Sequence, residues 1–420
     1  MPGEREVVIT GVGVASPIGI GREAFWASLA AGKSGVRRSE ALAKVGFPVQ
    51  IAAEVLDFDG KQFVTPRKSL KVMCREIQLA YAAAMLAVQD ASLDAAALDH
   101  DRFGCVLGCD MLYCDNEDVE EIYRACLVEG QFDWQRWGEN FPSKIFPLWM
   151  LKYLPNMAAC HIGIALDGRA PNNTITLGDA SSLLAIHEAA HVIGRGHADV
   201  MLAGGTGSRL NVTPLAYRGE QLLSHRMDEP EKASRPFDAH RDGLVNGEGA
   251  GILLLESREH AAARGAKILC RYVAGRSSFV APTDGALNSE PAIRNAIRGV
   301  LEAARLSASD IGHVNAHGMG TLLEDQHEAA AIAATLGDVP VFAPKSYFGN
   351  LGTGSGAIEL AASVLALASS EVPATLNYET PDPKCPVNVT ATPLRDRPGV
   401  AICLSQSSSG QAAAVVLAKD

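Results

Sequence analysis

Residues 174–205, TITLGDASSLLAIHEAAHVIGRGHADVMLAGG, constrain the fold more than any other stretch of the chain. A short extended run at 175–177 stops at Gly178-Asp179-Ala180-Ser181, an apolar helical segment follows, and 200–203 reads as a buried strand. A strand that ends in a sharp turn and hands over to a helix is how an α/β protein presents a reactive side chain. Here the side chain presented is an acid, Asp179, and not a nucleophile of the usual kind.

The same stretch contains His187-Glu188-Ala189-Ala190-His191 followed by Gly194 and His197, a match to the HExxHxxGxxH pattern of zinc proteases. Two histidines four apart share one helix face and could hold a metal, with Glu188 as base. The flanks argue otherwise. Leu183, Leu184, Ile186, Ala189, Ala190, Val192 and Ile193 surround the motif, so the helix reads as a buried central one, and His197 opens a turn into the next strand. The expectation is a structural helix and no metal.

Composition narrows the function. The 420 residues are 47% hydrophobic and only 6% aromatic, with 40 glycines, which suits close-packed α/β layers. A net charge of −11 without a basic run excludes the usual nucleic-acid footprint. The first residues, MPGEREVVIT, do not read as a signal peptide, and no apolar stretch is long enough for a membrane span. Nine cysteines without a pairing rhythm point to reduced thiols and a cytoplasmic protein.

Apolar runs of strand length alternate with helical stretches along the whole chain. Strands are predicted at 7–13, 104–108, 175–177, 200–203, 250–255, 268–273, 313–315, near Val341 and at 401–404; helices are predicted at 77–88, 290–304 and 326–336. This alternation predicts α/β architecture with buried sheets. Gly11-x-Gly13 lacks the third glycine of a dinucleotide fingerprint and reads as a packing turn. Residues 131–153, rich in Phe and Trp, are open between a lid over an acyl-sized pocket and a surface or subunit-interface excursion.

Several motifs in order identify a resemblance. They are Val8-Ile9-Thr10-Gly11-Val12-Gly13 with Ser16-Pro17-Ile18-Gly19; Arg195 to Val200 with Ala203-Gly204-Gly205; Ser234-Arg235-Pro236-Phe237-Asp238; Arg241-Asp242-Gly243 with Gly247 to Gly251; Asn315-Ala316-His317-Gly318; and Lys345-Ser346. Over essentially its full length the chain resembles β-ketoacyl-[acyl-carrier-protein] synthases of the elongating type. The resemblance implies a thiolase-like α/β fold: two similar halves, 1–255 and 256–420, in an α-β-α-β-α layering. It also implies a dimer, either of this chain or with a cysteine-bearing ketosynthase. Substrates would be acyl-carrier-protein or acyl-CoA thioesters of fatty-acid or polyketide assembly. No cofactor is implied beyond the phosphopantetheine carried by the substrate.

The resemblance also assigns the site. The family's acyl-accepting cysteine aligns with Asp179, its first histidine with His317 and its second with Asn350, while Lys345, Asp325 and Glu328 stand where their counterparts do. Met319 replaces a threonine, Thr321 follows it, and Ser408 lies where a phenylalanine gate is expected. An acyl-aspartate would be an anhydride too reactive to hold a chain, so stand-alone condensation is not expected. Asn350 can still donate to an oxyanion beside His317. Three readings follow: a partner subunit similar to chain-length factors, a malonyl-thioester decarboxylase, or an enzyme using Asp179, His317 and Asn350 for hydrolysis, aldol or dehydration chemistry. A buried polar network that only holds the fold is the alternative role for His317, Lys345, Asp325 and Glu328.

Overall fold

The computed structural model describes residues 5–281, 288–397 and 399–420. Its centre is one long mixed sheet. The first half contributes strands Val7–Ser16, Phe103–Gly108, Asn172–Ile175, Val200–Ser208 and Glu248–Ser257; the second contributes Cys270–Phe279, His313–Asn315, Pro340–Phe342, Val400–Gln406 and Gln411–Ala418. In each half the second strand pairs in parallel with the third and fourth, and the fourth, fifth and first follow as antiparallel neighbours. The two sets join where Val7, Val8 and Ile9 pair with Tyr272, Arg271 and Cys270. This repeated order is the thiolase-like arrangement.

Side-chain alternation explains why both faces of the sheet are covered. Along Val200–Ser208, Met201 and Ala203 enter one apolar cluster while Val200 and Leu202 enter another. Along Val400–Gln406, Ala401 and Cys403 join the first of these clusters, and Ile402 and Leu404 join a third. Period-two alternation with apolar residues on both faces therefore generates three cores. The shared middle core holds helices Ser181–Gly194 and Ser355–Ser369, which pack against strands of both halves. Arg75–Asp90 covers the outer side of the first half, and Glu290–Ala304 with Leu322–Leu336 covers that of the second.

Two readings from the sequence change here, and a third segment gains its structure. Gly11 and Gly13 lie within a continuous strand, Val7–Ser16, and not at a turn. A Cβ on Gly13 would stand 1.8 Å from the carbonyl oxygen of Ala83, so the glycines let Arg75–Asp90 settle directly on the strand. The strand ahead of Asp179 is Asn172–Ile175, and Leu177 already belongs to the turn. Residues 131–153 form a hairpin strand and the helix Trp134–Lys144, and the aromatic chain Phe132, Trp137, Phe141, Trp149 packs on itself.

The HExxH helix has a different use. The His187 Nδ1 lies 2.6 Å from the Tyr272 hydroxyl, and the His187 and His191 rings meet edge to face at 4.4 Å between centroids. Burial, then the neighbouring His191, Arg276 and Arg195, pushes the His187 pKa down to about 4. His197 is exposed beyond the helix end. Among the described residues no three His, Cys, Asp or Glu side chains are grouped to hold a metal ion, and no helix is long and apolar enough to cross a membrane.

Candidate active site

Asp179 reaches its place through a stapled turn. Gly178 takes φ +58°, a left-handed conformation that glycine adopts without strain. The Ser181 hydroxyl donates to the Gly178 carbonyl at 2.6 Å and accepts from the Leu177 amide at 2.8 Å. Behind it, Ser405 donates its hydroxyl to the Asp179 carbonyl at 2.8 Å. The carboxylate stands at the N-terminal end of Ser181–Gly194, where exposed backbone N–H groups favour negative charge.

The other candidates converge on it from the second half. Asn350 Nδ2 donates to Asp179 Oδ2 at 2.9 Å, and His317 Nε2 lies 3.8 Å from the same oxygen. On the other carboxylate oxygen, Arg209 Nη1 stands at 3.6 Å. Burial would raise the Asp179 pKa, but Arg209, His317, Lys345 and the Asn350 amide together hold it below the usual range. At neutral pH the group is a carboxylate.

His317 is held by a buried relay. Lys345 Nζ donates to His317 Nδ1 at 2.9 Å and to the His317 carbonyl at 2.8 Å, and it ion-pairs with Glu359. Burial, and then the Lys345 charge, lowers the ring's pKa well below its ordinary value, against the opposing pull of Asp179. With Nδ1 accepting from Lys345, the single hydrogen of the neutral ring sits on Nε2, which faces Asp179. His317 and Asn350 are thus two N–H donors beside one carboxylate oxygen, which Asn350 bonds at 2.9 Å and His317 faces at 3.8 Å.

Asp325 and Glu328 shape the loop and touch no ligand space. Glu328 accepts the backbone N–H groups of His317 (2.7 Å) and Gly318 (2.8 Å). Asp325 accepts those of Phe237 (2.8 Å) and Gly320 (3.0 Å) and faces Arg241 at 3.4 Å. Burial raises their pKa values to about 7 and about 6 respectively. Both sit on Leu322–Leu336, one turn apart, which is why a three-residue spacing serves one loop.

A cavity of about 530 Å³ opens beside Asp179 and His317, and Met319, Thr321 and Ser408 line it. Met319 Sδ lies 3.1 Å from Asn350 Nδ2, and Thr321 donates its hydroxyl to Glu324 at 2.8 Å. Residues 131–153 contribute no side chain to this wall, so the lid reading does not hold for this cavity. Two members of the site were missed in the sequence. Arg209 lies in a segment with no motif to mark it. Glu359 did leave a signal, as the sole acid in the apolar helix Ser355–Ser369.

With this geometry in view, comparison with known proteins is decisive. Residues 4–261 match the β-ketoacyl synthase N-terminal domain and 277–379 the corresponding C-terminal domain. The chain belongs to the β-ketoacyl synthase family. It is 37% identical over 400 residues to a putative polyketide β-ketoacyl synthase 1 of Streptomyces halstedii, covering 94% of this chain and 93% of that one. Among solved structures it is similar to the ishigamide ketosynthase/chain length factor, with 29% identity, TM-score 0.85, and coverage of 99% of this chain and 100% of the other. It is also similar to a type II polyketide-synthase ketosynthase in complex with its acyl-carrier protein, bound to the hexaketide. That match has 29% identity and TM-score 0.84, and covers 99% of this chain and 100% of the other.

Proposed function

We propose that this β-ketoacyl synthase homologue is a cytoplasmic, non-condensing subunit of fatty-acid or polyketide assembly. It receives a carrier-protein-borne acyl thioester beside Asp179 and pairs with a cysteine-bearing ketosynthase, as chain-length factors do. The carrying observation is Asp179 Oδ2 bonded to Asn350 and facing the His317 N–H. Those two donors are what a thioester enolate would need, and a fixed anion already bonds one of them and stands beside the other. Phosphopantetheine arrives on the carrier protein, and the chemistry calls for no resident cofactor.

Magnitudes favour this over a decarboxylase. An enolate oxygen formed about 4 Å from a carboxylate meets roughly 4 kcal/mol of repulsion at an effective dielectric near 20. That corresponds to a rate penalty of about a thousandfold. Decarboxylation of a malonyl thioester stays in view for one reason: His317, with its Lys345 and Glu328 supports intact, lines an open cavity. The two readings separate on incubating the purified chain with malonyl-carrier protein, wild type beside His317→Ala, and following intact mass. The partner-subunit reading expects no acetyl-carrier protein from either. Conversion by the wild type that His317→Ala abolishes would overturn it and make the chain a decarboxylase.

A further inference from the structure

The wall of the Asp179 cavity includes buried polar groups as well as exposed leucines. Leu222, Leu322 and Leu323 belong to its lining and are 63%, 58% and 53% exposed, so they form an apolar rim. Gln406 and Ser289 belong to the same lining and are buried, 4% and 6% exposed, alongside the buried apolar Leu244 and Met319. Among the described residues, neither the nitrogen nor the oxygen of the Gln406 amide has a hydrogen-bond partner, and neither has the Ser289 hydroxyl. A pocket for saturated hydrocarbon has no use for buried, unpaired hydrogen-bonding groups, and this one holds them at a cost that a ligand oxygen would offset.

The topology delivers these two residues to one cavity. Ser405 turns toward the middle layer, where a Cβ on Gly356 would stand 3.5 Å from its hydroxyl oxygen, and it bonds the Asp179 carbonyl. Gln406, next along the strand, therefore turns to the opposite side, the face on which Ile402 and Leu404 pack beneath Glu290–Ala304. Ser289 stands at the start of that helix. Gln406 thus flanks the reacting centre through its neighbour while its own side chain belongs to the cavity's inner wall.

We infer that Gln406, assisted by Ser289, is a specificity-determining residue that selects acyl thioesters carrying a hydroxyl or keto oxygen on the chain over saturated chains of equal length. This rests on the proposal that the cavity receives an acyl thioester. An amide can donate to a keto oxygen and can both donate to and accept from a hydroxyl, so one side chain serves either oxidation level. A saturated chain leaves both of its polar atoms unpaired, and a site built to bond an oxygen discriminates against the analogue that lacks it.

The test compares 3-hydroxyhexanoyl-pantetheine with hexanoyl-pantetheine, which share the same arm, by calorimetric titration of the full chain. Wild type is expected to bind the hydroxylated probe about tenfold more tightly, the equivalent of about 1.4 kcal/mol. Gln406→Leu is expected to abolish that preference, with the hydroxylated probe losing affinity relative to the saturated one. Ser289→Ala is expected to narrow the preference and provides a second reading should the leucine variant fold poorly. Equal affinities in wild type would overturn the inference. So would a Gln406→Leu variant weakened equally toward both probes, because the amide would then hold the shared arm. Binding of neither probe to wild type would instead remove the thioester-cavity proposal beneath it.

Discussion

At the scale of single residues, the decisive fact is that one carboxylate oxygen accepts from Asn350 and faces the His317 ring at 3.8 Å. If Asp179 alone blocks acyl transfer, Asp179→Cys should take up an acyl group from acyl-carrier protein or acyl-CoA. The thiol would stand beside Arg209 and a helix N-terminus, both of which favour the thiolate. Intact mass is expected to rise by one acyl unit in the variant and not in wild type. Failure of the variant to acylate would place the block in Met319 and the serine-rich loop around Ser408 instead.

Glu328 supplies a pH dependence with a definite sign. Burial raises its folded-state pKa from 4.5 to about 7, so the folded protein holds this proton more tightly than the unfolded chain does. The contribution is fully present below pH about 4 and is lost as pH rises through 7, amounting to up to about 3 kcal/mol. Glu328→Gln carries no such proton. The difference in melting temperature between wild type and variant is therefore expected to move in the variant's favour between pH 5 and pH 8. A difference independent of pH would mean that Glu328 is ionised throughout.

At the scale of elements, close approach explains what hydrophobic pattern alone cannot. Gly13→Ala puts a methyl group 1.8 Å from the Ala83 carbonyl, so helix Arg75–Asp90 must lift from its strand. A loss of about 3 kcal/mol or more is expected in urea unfolding. Gly138, within Trp134–Lys144, is the contrast: its Cβ would meet nothing within 4 Å, and Gly138→Ala is expected to gain up to about 1 kcal/mol. The HExxH segment teaches the same lesson. Its spacing is that of a metal site, but the neighbouring strand delivers Tyr272 to His187, and the helix serves as the middle layer.

At the scale of the molecule, one side is unfinished. Ile164 is 77% exposed on the helix Met157–Ala165, which packs against Asn172–Ile175, the strand that ends the sheet among the described residues. Apolar surface of this kind beside an open strand edge suits association. Where wild type sediments as an assembly, Ile164→Asp is expected to shift the coefficient toward that of the monomer at micromolar concentration. An unchanged coefficient would exclude this face from any assembly the chain forms.

Much of this protein could be read from its sequence. Alternating apolar runs fixed the α/β class because strand and helix periods depend only on local geometry. The resemblance to β-ketoacyl synthases singled out Asp179, His317, Lys345, Asn350, Asp325 and Glu328 because its motifs run here in the same order. Tertiary structure alone decided what these groups do to one another. Arg209 meets Asp179 from 30 residues away in the chain, Glu359 holds Lys345 from 14, and Ser405 fixes Asp179 from 226. Charge state and donor direction depend on distances of a few ångströms between segments remote in sequence, and no local periodicity records those distances.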